Sequence, residues 1–180
     1  MARPSIMRRF DISISDVDRN HFDTIELRLA QHPSETESFL ATRILIYALH
    51  QEENLSFSRA GLGDPSEPPL FIRSLNGDFL HWFDIGCPSL DRLNKATKTA
   101  RRVTVYAYRA INRLLETVQK LDYDRKKSVD CLQLDGDLLS QLGASIKRTN
   151  EWSIVRTDGE VFIESNGENF QTVVQPLDLS

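Results

Sequence analysis

The sequence predicts an α/β fold in its α+β-like form, a mixed β-sheet flanked by helices, carried by a single domain over residues 1–180. Three observations lead there. Apolar and polar residues alternate between Phe10 and Ala30, the period of half-buried strands. The spacing then lengthens to that of a helix after His32. Farther on, strand-like and helix-like stretches alternate in the middle of the chain, while hairpin signals stand at both ends, which argues for a mixed sheet over a purely parallel one.

Taken in order, residues 10–17 and 22–30 alternate around the turn Asp18-Arg19-Asn20 and predict a hairpin with one wet face. His32 to Glu37 reads as a helix start. Ser34 is a cap residue, Glu37 stands at capping-box distance, and acids in the first turn suit the helix dipole. Phe39, Leu40, Ile44, Leu45 and Leu49 carry that helix to about His50. A short strand is expected at 55–58, a Gly/Pro-rich loop at 61–69, and strands at 70–73 and 79–86 around Asn76-Gly77. A basic helix follows over 89–100, then a buried strand at 103–108, a helix at 110–120 and a strand at 129–134. A short helix over 137–143 has Gly143 as its C-cap candidate. Strands at 152–156 and 161–164 flank Asp158-Gly159, and 170–174 is a weaker third.

A 40% hydrophobic, 27% charged composition permits a sizeable core and argues against wholesale disorder. The net charge of −4 is unlike that of a strongly basic nucleic-acid-binding protein, so DNA binding would need a local positive patch. Cys87 and Cys131 lack metal-ligand spacing and read as two reduced thiols. Met1 to Arg9 has no apolar stretch after its basic residues, and no run approaches the ~20 residues of a membrane helix. The expectation is a cytoplasmic protein without a membrane partner.

The residues that could carry chemistry are carboxylates and a lysine. Glu35 stands at the start of the first helix, Glu67 before Pro68-Pro69, Asp84 late in the strand 79–86, and Lys95 on the helix that follows. Alternation puts Asp84 on one face with Trp82 and Leu80, where a carboxylate is costly unless paired, hydrogen-bonded or bound to a metal. Each has an ordinary role when taken alone: Glu35 beside a helix dipole, Glu67 solvated, Asp84 bonded to nearby backbone, Lys95 on a solvated face. The four histidines lack zinc-ligand spacing, and neither a phosphate-binding glycine loop nor a dinucleotide fingerprint is present.

The string His32-Pro33-Ser34-Glu35-Thr36, followed by Arg43, resembles the helix-opening motif of the YaeQ family. So do Asp16-Val17-Asp18-Arg19-Asn20, Glu67-Pro68, Trp82-Phe83-Asp84-Ile85-Gly86 with Pro88, and Lys95-Ala96. The resemblance implies a divergent PD-(D/E)XK, restriction-endonuclease-like fold. In that superfamily two acids bind Mg²⁺ and a lysine positions or activates the attacking water. It therefore implies a Mg²⁺ cofactor on Glu67 and Asp84, Glu35 as the helix acid that completes the site, and nucleic acid as the partner. Two departures stand out. The lysine expected two residues after the acid is Gly86, and the Pro-Asp order of the first motif is Glu-Pro. Lys95, on the following helix, takes the lysine's place, with its amine directed at Asp84 and with Arg92 and Lys98 along the path of a substrate backbone.

Two functions of different class follow. One is a Mg²⁺-dependent, nuclease-like phosphodiesterase acting on nucleic acid, with Glu35, Glu67, Asp84 and Lys95 as its catalytic residues. The other is a non-catalytic interaction or regulatory protein on the same scaffold, which the charge and Gly86 favour.

Overall fold

Residues 4–59 and 66–180 are described by a computed structural model. In chain order the elements are β1 (Ile6–Asp16), β2 (His21–Gln31), α1 (Glu37–Leu49), β3 (Leu55–Phe57), β4 (Leu70–Arg73), β5 (Phe79–Ile85), α2 (Leu90–Thr99) and β6 (Ala100–Ala107). They continue with α3 (Ile111–Gln119), α4 (Tyr123–Lys126), β7 (Val129–Gln133), α5 (Gly136–Ala144), β8 (Thr149–Thr157), β9 (Glu160–Ser165), β10 (Glu168–Val173) and β11 (Gln175–Pro176). The fold is mixed α+β, and it divides into two compact units: Met1–His50 with Asp135–Val174, and Gln51–Leu134 with Gln175–Ser180.

The first unit is built on a sheet of order β10-β9-β8-β1-β2. The β1–β2 hairpin is antiparallel throughout, from Ile6 opposite Gln31 to Asp16 opposite His21. Phe10, Ile12 and Ile14 are buried, while Arg9, Ser13 and Val17 are exposed, so the expected wet face is present. β8 joins β1 in parallel, pairing Ile12 with Trp152, and packs Trp152 edge-on against Phe10 at 5.3 Å between ring centres. Asp158 (φ 51°) and Gly159 (φ 77°) make the tight β8–β9 turn with the left-handed backbone that such hairpins need.

Helix α1 starts later than its sequence suggests. Its cap is Thr36, whose hydroxyl accepts from Phe39 N–H at 3.2 Å. Ser34 instead faces His32, Oγ to Nδ1 at 2.7 Å, in a turn closed by Glu35 N–H donating to the His32 carbonyl at 2.9 Å. Glu37 is then the first helical residue rather than the distal member of a capping box. Gly143 is likewise not a C-cap: it lies inside α5, whose C-cap is Ser145. A Cβ there would stand 2.7 Å from the backbone carbon of Glu37 and 2.8 Å from Ser38 N, so the glycine lets α5 approach the first turn of α1.

The second unit carries a sheet of order β11-β7-β6-β5-β4-β3. β5, β6 and β7 are parallel, and the outer pairs are antiparallel. Trp82, Val103, Val105, Val129 and Cys131 belong to a core with Leu93 and Ala96 of α2 and Leu114 and Val118 of α3. Parallel neighbours require crossovers, and α2 and α3 supply them. Two mixed sheets thus stand where one was expected. Alternation marks a segment as a strand and leaves its partner open, and the β1–β8 pairing spans most of the chain. The short helix α4 and the edge strand β11 have too few residues to carry a period. The expected loop at 61–69 lies partly outside the described residues; 66–69 contain neither helix nor strand.

Candidate functional site

β5 brings Asp84 to the face it shares with Trp82, as alternation requires. The carboxylate is buried at 3% exposure. Trp82 Nε1 donates to its Oδ2 at 3.1 Å. The loop after β5 turns back at Gly86, and Ser89 caps α2 by accepting from Arg92 N–H at 3.2 Å. Arg92 lies one turn before the buried Ala96, and so on the sheet-facing side of the helix. Its Nε donates to Asp84 Oδ2 at 2.7 Å and its Nη2 to Oδ1 at 2.9 Å. The guanidinium also stands 5.5 Å from the centre of the Trp82 ring.

Glu67 sits before β4. Its Oε1 accepts from Arg73 Nη2 at 3.1 Å, and its Oε2 from Ser58 Oγ at 3.2 Å. The Glu67 main-chain carbonyl accepts from Arg92 Nη2 at 3.3 Å, so Arg92 links the Glu67 backbone to the Asp84 carboxylate while the Glu67 carboxylate turns to Arg73 and Ser58. Lys95 is exposed on α2. The side chain that this helix sends to Asp84 is Arg92, expected along the substrate path, and not Lys95.

Glu35 belongs to the first unit. It is buried, and Arg43 of α1 donates to it through Nε at 2.6 Å and Nη2 at 2.9 Å. His32 N–H donates to Oε2 at 3.2 Å. Each of the three candidate acids is therefore engaged by an arginine: Glu35 by Arg43, Glu67 by Arg73, and Asp84 by Arg92. Arginine suits this role because its planar fork meets both carboxylate oxygens and never loses its charge. Reasoning from sequence missed these partners, although a signal existed. In two cases the arginine lies eight residues beyond the acid, on the helix that follows it.

In this arrangement Glu67 and Asp84 do not fit a Mg²⁺ centre. Such an ion needs oxygen lone pairs at ~2.1 Å, and both Asp84 oxygens already accept from a cation. Among the described residues, no three His, Cys, Asp or Glu side chains gather in a metal-binding group. Gly86 accounts for the missing lysine. Its φ is +93°, a conformation that a lysine adopts only under strain.

Asp16 and Asp18 also have structural duties. Asp16 is buried and accepts from Arg19 N–H at 3.1 Å and Arg19 Nε at 2.7 Å. Asp18 accepts from the backbone N–H groups of Asp158 at 2.7 Å and Gly159 at 2.9 Å, tying the two hairpin turns of the sheet together. These bonds, with that of Gly159 foremost, hold the Asp18 carboxyl below its ordinary pKa. Cys87 and Cys131 are both free thiols, and burial pushes Cys131 up to about 12. Among the described residues, no helix is long and apolar enough to cross a membrane.

Comparison with known proteins places this geometry in a family. The family model described as YaeQ protein matches residues 1–174. The uncharacterized protein YaeQ of Escherichia coli (strain K12) is 26% identical over 179 residues, covering 95% of this chain and 94% of the relative. Its counterpart from Salmonella typhi is 27% identical over 175 residues, with the same coverage. The crystal structure of YaeQ protein from Pseudomonas syringae superposes with a TM-score of 0.88 at 29% identity, covering 98% of both chains. That of Xanthomonas axonopodis pv. citri gives 0.88 at 32% identity, covering 96% of this chain and 97% of the other.

Proposed function

The chain belongs to the YaeQ family, and we propose that it is a non-catalytic interaction or regulatory protein on a divergent PD-(D/E)XK scaffold, working in the cytoplasm. The observation that carries this reading is the Asp84–Arg92 pair. A carboxylate that must accept a metal ion is held instead by a two-point guanidinium clamp and an indole N–H. Gly86 supports it, because the strand has turned into a left-handed bend where a catalytic lysine would stand. The two free thiols support the cytoplasmic location.

A second reading, a Mg²⁺-dependent phosphodiesterase acting on nucleic acid, draws on Arg92, which bonds both the Asp84 carboxylate and the main-chain carbonyl of Glu67. Glu35, Glu67, Asp84 and Lys95 are its residues. Incubation of the purified chain with supercoiled DNA and with single-stranded RNA, in Mg²⁺ and in Mn²⁺, separates the two. The interaction reading expects no nicking in either ion and no saturable binding of either ion by calorimetry. Ion-dependent cleavage that Asp84→Asn abolishes, in a variant whose circular dichroism is unchanged, establishes the enzyme instead.

A further inference from the structure

The five-stranded sheet of the first unit buries one face and leaves the other open. On the open face, the register aligns Phe22 with Ser15, Ser15 with Val155, Val155 with Phe162, and Phe162 with Gln171. In-register neighbours point the same way, so these five side chains form one row across all five strands. Phe22 is 61% exposed and Phe162 is 37% exposed. A cavity of about 370 Å³ opens beside Phe162, lined also by Val155, Ser153, Glu164, Asn169 and Gln171. It offers a seat for an anchoring side chain.

The charges on this face say what would occupy it. At its far end, Arg9 and Arg28 are opposite one another and spend their charge locally: Arg9 pairs with Asp11 and Glu26, and Arg28 with Glu26. Glu151, Glu160 and Glu164 remain without a lysine or arginine partner among the described residues. Glu160 and Glu164 flank Phe162 on β9, alternating with the buried Val161 and Ile163. The surface is thus a row with phenylalanine at two of its five positions, Phe22 and Phe162, bordered by carboxylates that no lysine or arginine compensates.

We propose that this sheet face docks a basic protein segment in which an apolar anchor is flanked by lysine or arginine. The anchor enters the cavity at Phe162, and the flanking cations meet Glu160 and Glu164. This deepens the interaction reading and rests on it, by naming the chemistry of the partner. Single-stranded nucleic acid fits less well. Its bases could stack on Phe22 and Phe162, but its phosphates would meet three unpaired carboxylates. A second copy of the chain would present the same excess of negative charge.

The test uses the full chain and a fluorescent peptide of about ten residues in which lysine and leucine alternate. Controls are the same peptide with glutamate for lysine, and an oligothymidylate. The lysine–leucine peptide is expected to bind, and the two controls are not. Phe22→Ser with Phe162→Ser, and separately Glu160→Lys with Glu164→Lys, are each expected to weaken binding by roughly tenfold or more. All four positions are exposed, so both variants should melt as the parent does. Amide shifts on binding should fall in β1, β2, β8, β9 and β10. Equal binding by parent and variants, shifts outside this sheet, preference for the glutamate peptide or the oligothymidylate, or no binding at all would overturn the docking surface. Nuclease assays on the same samples keep the two failures apart: lost peptide binding without cleavage removes this surface alone, and ion-dependent cleavage removes the interaction reading.

Discussion

Asp84 and Arg92 form a two-point ion pair, Oδ2 to Nε at 2.7 Å and Oδ1 to Nη2 at 2.9 Å, between the end of a central strand and the first turn of the helix after it. The acid side chain is 5% exposed and the arginine 24%, so the pair sits at the rim of the core. Removing one partner leaves the other with an uncompensated charge. Asp84→Asn should lower the unfolding free energy by about 2–3 kcal/mol, toward the modest end for a buried pair because Arg92 keeps some solvent. Urea denaturation of Asp84→Asn, Arg92→Met and the double variant checks this. The double variant should cost clearly less than the sum of the single ones, and strict additivity would refute the coupling.

Glu35 and Arg43 form the more deeply buried pair, with side chains 1% and 4% exposed. Glu35→Gln is expected to destabilise by about 3–5 kcal/mol. Glu35→Leu combined with Arg43→Met removes both charges and should recover a large part of that loss. Thermal melts of the three proteins decide it. A silent Glu35→Gln would mean that the pair does not hold the start of α1.

Gly143 should be intolerant of even one methyl group. Its added Cβ would meet backbone atoms of Glu37 and Ser38 below 3 Å, and backbone does not move aside as a flexible side chain does. Gly143→Ala should therefore destabilise by about 1–3 kcal/mol, despite alanine's better helix propensity. A stabilised Gly143→Ala in chemical denaturation would contradict this packing of α5 on α1.

Gly86→Lys restores the lysine of the usual motif at a position with open space but a φ of +93°. The expected cost is about 1 kcal/mol of backbone strain, with no gain of Mg²⁺-dependent cleavage. Cleavage by this variant would show that the lysine was the one missing part.

His81 gives the fold a pH dependence. Burial, helped by Arg102 and opposed by Asp130, lowers its pKa from 6.5 to about 4, and its Nε2 lies 2.8 Å from Thr104 Oγ1. Between these values the unfolded chain takes up a proton that the folded chain refuses. The stability present above pH 6.5 is therefore lost as pH falls toward 4, by about 2 kcal/mol after allowing for the partial exposure of the ring. His81→Gln should flatten the melting temperature over that interval.

The kind of structure at nearly every segment was legible in the residues alone. Strand alternation at 10–30, the basic helix after Pro88 and the Asp158-Gly159 turn are local signals, set by periods and backbone preferences within a few residues. The sequence also placed Asp84 on the face of Trp82 and showed that a carboxylate there would need a partner. Which partner it found depended on how the helix packs against the sheet. Alternation is indifferent to whether β1 continues the sheet of β5 or joins β8, and helical spacing alone does not tell Arg92 from Lys95, the residue expected to face Asp84. Burial of Leu93 and Ala96 against the parallel strands fixes the rotation of α2, and that rotation delivers Arg92 to Asp84 and leaves Lys95 in solvent. Gly143 shows the same division: a glycine near a helix end suggests a cap, and only the approach of a second backbone reveals it as a contact point. Long-range pairing and helix rotation are set by the burial of many side chains at once, which no local stretch of sequence contains.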